Sequence, residues 1–212
     1  MDESLLVSIF MRELRTQAHT ARGAALRLGD LRERVLAIEL RGAEAADDEA
    51  RYFDDLKHQD ADDALADECF STVQAILTAA ALASKCLWSP RRTTASRRRG
   101  TRLRELLAIA ENEQGFPRLL RSRAVRNAFE HFDERVEDYL EHSNFLVDRC
   151  VGSRDWAAGI RSMRLVNVTT WEVSVLDTAV DLQALLREME ELSLRATTWL
   201  NGHFVSSRPL TP

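Results

Sequence analysis

The sequence predicts a mainly helical protein: an up-and-down bundle of about five to seven helices in a single domain over residues 1–212, with a small β-hairpin before the last helix. Three observations predict it. Only eight Gly and four Pro interrupt 212 residues rich in Ala, Leu, Arg and Glu, which favour helix. Apolar residues recur at three- and four-residue spacing through most of the chain. One stretch, 164–176, concentrates β-branched and aromatic residues instead.

From Glu3 to Leu28, the residues Leu6, Ile9, Phe10, Leu14, Ala21, Ala25 and Leu28 keep helical spacing. Gly29-Asp30 then either breaks the path, with Asp30 capping a second helix that carries Leu31, Val35, Ile38 and Leu40 and ends at Gly42, or leaves one bent helix. Between Glu44 and Glu68, eleven acidic residues stand against Arg51 and Lys57, a density of like charge that calls for solvent. Helix and loop both suit that segment. Phe70, Val73, Leu77, Ala80, Ser84 and Leu87 predict a continuous helix from about Asp62 to Trp88, on which Ala79, Ala80 and Ala81 permit close approach of a neighbour.

Ser89-Pro90 stops that helix, and Pro90–Gly100 (PRRTTASRRRG) reads as the clearest loop in the chain. Arg102–Glu111 reads as a short helix. Gly115-Phe116-Pro117 starts a longer one, with Val125, Ala128, Phe129, Phe132, Val136 and Tyr139 as its stripe. Val166, Val168, Trp171, Val173 and Val175 predict a hairpin turning near Thr169-Thr170, without a glycine to mark the turn. Asp181 begins the final helix, which carries Leu182, Leu185, Leu186, Met189, Leu192, Ala196, Trp199 and Leu200.

A net charge of −5 argues against nucleic acid wrapped over the whole surface and leaves room for a local basic patch. Cys69, Cys86 and Cys150 form no C-x-x-C pair and read as reduced, buried thiols. The opening MDESLLVSIFMRELR is acidic and interrupted by charge, unlike a secretory signal. The weakly polar run Val73–Ala83 is about half of the ~20 residues a membrane span needs, so no membrane segment and a cytoplasmic location are expected. No Walker A, G-x-G-x-x-G, G-x-S-x-G or H-E-x-x-H sequence is present, and Asp55-x-x-His58 is the nearest approach to a carboxylate-histidine metal pattern. No metal or cofactor is expected. His19, His58, His142 and His203 lack companions at ligand spacing, and Trp88, Trp156, Trp171 and Trp199 read as core anchors.

The sharpest signal is Arg126-Asn127-Ala128-Phe129-Glu130-His131 on the predicted helix after Pro117. Cleaving RNA by transesterification needs a base for the 2′-hydroxyl proton. Histidine, with a reference pKa of ~6.5, keeps a neutral fraction for that work, which gives His131 its role. An always charged, forked guanidinium suits the charge that develops on phosphorane oxygens, which gives Arg126 its role. Asn127 lies four residues before His131, so its amide can orient the imidazole or hold a phosphate oxygen. On an ideal helix Arg126 and His131 are ~140° apart, so either the long arginine reaches round or a second protomer completes the site. The plain alternative is an Arg126–Glu130 surface pair with His131 on a solvated flank.

This segment resembles the R-x4-6-H motif of the HEPN superfamily, in which a polar residue follows the arginine. The resemblance implies a helical, often dimeric domain whose two protomers bring motif residues together and cut RNA without a metal. It thus implies RNA as substrate, a homodimer, and a role in defence or growth arrest with an antitoxin or regulatory protein as partner. Arg91, Arg92, Arg97, Arg98, Arg99 and Arg102 offer phosphate contacts whose strength falls with salt. The reading from another class is a non-catalytic interaction or regulatory protein, using the opposed acidic 44–68 and basic 91–104 segments.

Overall fold

A computed structural model describes residues 3–45, 49–89, 93–110, 115–122, 127, 136–137, 147–153, 162–176 and 178–205, with backbone alone at the helical positions among 42–61 and at 147–148 and 204–205. It is mainly helical, with a small sheet before the C-terminal helix. The elements are α1 (Glu3–Ala45), α2 (Glu49–Leu87), α3 (Thr94–Leu106), α4 (Arg118–Ser122), β1 (Val147–Gly152), β2 (Ser162–Asn167), β3 (Glu172–Val175), β4 (Thr178–Asp181) and α5 (Leu182–Val205). The chain divides into two compact units. One holds 1–22, 77–123 and 183–212, the other 23–76 and 124–182, so α1 and α2 each continue from one into the other.

α1 is a single helix through Gly29-Asp30. A long seam explains why: Val7, Met11, Leu14, Ala18, Ala21, Leu28, Leu31 and Val35 are all buried, at steps of three and four with one of seven from Ala21 to Leu28, and the spacing runs on past the glycine. A Cβ at Gly29 would meet nothing within 4 Å. Gly29→Ala is therefore expected to raise stability by about 0.5–1 kcal/mol, through helix propensity and a less disordered unfolded chain. The urea midpoint measures it.

α2 begins at Glu49, ahead of the Asp62 start the spacing predicts, so the backbone of most of the acidic segment is helical. All six residues predicted to face the core, Phe70, Val73, Leu77, Ala80, Ser84 and Leu87, are buried. In the second unit Arg27 and Arg34 of α1 both pair with Glu68 of α2, and the Arg27 guanidinium holds the Glu68 carboxyl below its ordinary range. Asp62–Leu87 is apolar enough to pass for a membrane span by composition, but 67% of that window is buried inside the protein, as in a core helix.

Four expectations are corrected. Pro90–Gly100 is not wholly loop, because α3 starts at Thr94 and takes in the arginine run. Thr93 is the reason: at φ −70°, ψ 146° it caps the helix, its hydroxyl accepting from the Ser96 N–H. The predicted helix over Arg102–Glu111 is the continuation of α3 and ends at Leu106. The predicted hairpin is the centre of a four-stranded sheet in the order β1-β2-β3-β4, with β1 and β2 parallel and the other pairs antiparallel. Its turn lies where predicted. Asn167 Oδ1 accepts from the N–H groups of Thr169 and Thr170 at 3.0 and 2.9 Å, replacing the missing glycine signal. Asp181 closes β4, and α5 begins one residue later.

In the first unit, charged side chains bind helix ends. Glu188 of α5 accepts from the N–H groups of Arg118, Leu119 and Leu120, so the start of α4 is capped from another element. Arg195 donates to the carbonyls of Leu107 and Ala108, each at 2.9 Å, and lies over the Phe116 ring at 4.4 Å. Arg104 donates to the Leu87 carbonyl at 2.6 Å, closing the end of α2.

The three cysteines are free and buried, as their spacing suggests. Burial pushes the Cys69 and Cys86 thiols up to about 11 from the ordinary 9.0. The fold favours the neutral thiol, so stability is expected to hold below about pH 9 and fall as pH rises towards 11. Iodoacetamide at pH 8 should label the native protein slowly and all three thiols in denaturant.

Candidate nucleic-acid interface and motif helix

The basic segment and the motif lie in different units. On α3, Ser96, Gly100 and Leu103 are buried, a stripe at four- and three-residue spacing that turns one face of the helix inward. Arg97, Arg98 and Arg102 consequently point outward and are exposed. Arg98 and Arg102 are one turn apart, and Arg102 pairs with Glu105 at 3.4 Å. Arg99 turns to the flank, its guanidinium 4.4 Å from the centre of the Phe10 ring. Arg104 takes the other flank and serves the α2 terminus. The helix thus sorts the arginine run into an outward-facing set and a set used in packing. Arg91 and Arg92 lie outside the described residues.

Three guanidiniums on one helical surface can meet successive phosphates of a flexible strand without reading its bases. No aromatic ring interleaves them in the sequence, so the surface supplies charge and lacks a stacking platform.

α4 starts right after Pro117, and the residues that would carry it on to Asn127 lie outside the described ones. Further on, Asn127 is helical and exposed, and Val136 and Glu137 are helical too. Arg126 and His131 lie outside the described residues, so Asn127 is the one motif residue the structure places. Among the described residues, no three His, Cys, Asp or Glu gather as a metal site would require.

Spacing gave no signal for Glu188, Arg104 and Arg195. Each lies among ordinary helical charges and acts on backbone 17 to 88 residues away in sequence. No protein-family model, curated protein sequence or solved structure matches this chain.

Proposed function

We propose that the protein is a metal-independent endoribonuclease of the HEPN kind, acting in the cytoplasm as a homodimer under the control of an antitoxin or regulatory protein. His131 takes the 2′-hydroxyl proton, Arg126 stabilises the phosphorane, and Asn127 positions one of them. The helices arrange as an up-and-down bundle, with the β1–β4 sheet as a departure from an all-helical plan. The observation that carries this reading is the Arg126-Asn127-x3-His131 sequence, supported by the helical, exposed placement of Asn127. Cleavage of mixed RNA in EDTA, leaving 2′,3′-cyclic phosphate ends, is the expected result. RNA left intact would remove the reading.

The α3 surface then holds the strand. Arg97→Gln/Arg98→Gln/Arg102→Gln is expected to weaken RNA binding. It should also make the slope of log affinity against log salt shallower by about 2, the counterions of three phosphate contacts on a single strand. Filter binding at several salt concentrations measures it, with helical circular dichroism unchanged because all three side chains are outside the core. The same surface supports the second reading, in which it docks on an acidic helix; a triple variant that keeps its RNA affinity and loses a protein partner would favour that one.

A further inference from the structure

Within the second unit, residues of α1, α2 and β1 line a half-open pocket of about 580 Å³, a volume typical of small-molecule sites. Its walls are mostly apolar: Val35 and Ile38 from α1, Leu65 and Ala66 from α2, and Val151 from β1. Among the described residues, its polar lining is unbalanced. Glu39, Asp62 and Asp63 contribute three carboxylates, and Arg149 contributes one guanidinium.

These groups are not equally available. Arg149 is engaged by Asp67. Glu39 accepts the Ser153 N–H at 2.6 Å through Oε1. Neither Asp62, half-buried, nor Asp63, exposed, makes an ion pair among the described residues. An anion entering here meets three carboxylates and a guanidinium already held. A neutral apolar molecule finds walls but leaves the two aspartates unanswered. A molecule with an apolar body and a positive end satisfies both, because partial exclusion of water strengthens its attraction to the carboxylates.

The geometry points to a binding site for a small amphipathic cation, an amine on a short aliphatic body, with Asp62 and Asp63 receiving the charge. This proposal does not rest on the ribonuclease reading and would stand if that reading failed.

The test is calorimetric titration of the full chain at pH 7 with octylamine and, separately, with octanoate, two chains of equal length and opposite charge. Octylamine is expected to bind saturably at one site, tighter than octanoate by about tenfold or more. Asp62→Asn/Asp63→Asn should bring the two ligands to nearly equal affinity, and Ala66→Trp should abolish octylamine binding by filling the cavity while helical circular dichroism is kept. Equal binding of the two ligands by the wild type, no saturable octylamine binding, or an unchanged preference in the double variant would overturn the proposal. Should Ala66→Trp fail to fold, the double variant decides alone.

Discussion

Gly100→Ala destabilises the protein by about 2 kcal/mol, against the usual sign of a glycine-to-alanine change inside a helix. A Cβ at this position would stand 2.6 Å from the Leu87 carbonyl oxygen and 3.3 Å from Arg104 Nη1. The nearer atom is backbone, at the end of α2, and cannot swing aside as a side-chain tip can. Relief requires α3 to move away from α2, which also breaks the 2.6 Å bond from Arg104 to the same carbonyl. Overpacking costs about 1–3 kcal/mol and the lost charged hydrogen bond about 1–3, against about 1 gained from propensity. Gly29→Ala, with nothing within 4 Å, is the control of opposite sign. Urea unfolding of both variants measures the contrast, and a stabilised Gly100→Ala protein would contradict the account of how α3 is seated.

On the proposed ribonuclease reading, His131→Ala is expected to lower RNA cleavage by about 10²–10⁴-fold, the share of rate that a positioned general base supplies. By sequence spacing His131 is not one of the apolar positions Val125, Ala128, Phe129, Phe132, Val136 and Tyr139, so the substitution is expected to leave those positions alone. Arg126→Ala is expected to lose activity on the same scale through unscreened phosphorane charge. Arg126→Lys should recover little, because an ammonium cannot present the fork. Truncating Asn127, which is helical and exposed, is expected to cost less, because the proposed role for it is to position another group.

How much of this was legible follows from where repetition was available. α2 and α5 show a seam over many turns, and their predicted core residues are mostly buried. The first turns of α1 offer Leu5, Leu6, Val7, Ile9, Phe10 and Met11 together, so spacing alone admits two registers. The longer seam through Leu14 and Ala18 selects Val7 and Met11 and leaves Leu5 and Ile9 at 57% and 50% exposure. α3 was illegible to periodicity because Leu103 is its one large apolar residue facing inward, while Ser96 and Gly100 complete the stripe. Its real signal was Thr93 standing three residues before Ser96. The hairpin was visible in its valines, but β1 and β4 were not: β1 mixes Asp148 and Arg149 among apolar residues, and β4 has four residues. At the candidate site, residue types and spacing carry only the proposal, and the distribution of arginines between packing and solvent depends on what lies beneath α3.

The measurement that bears most directly on the central claim is a cleavage assay on mixed RNA in EDTA, with wild type and His131→Ala purified side by side and the 3′ ends of the products read. The account predicts cleavage by the wild type alone, with 2′,3′-cyclic phosphate ends and both proteins equally helical. Equal cleavage by the two, or intact RNA with both, would contradict it.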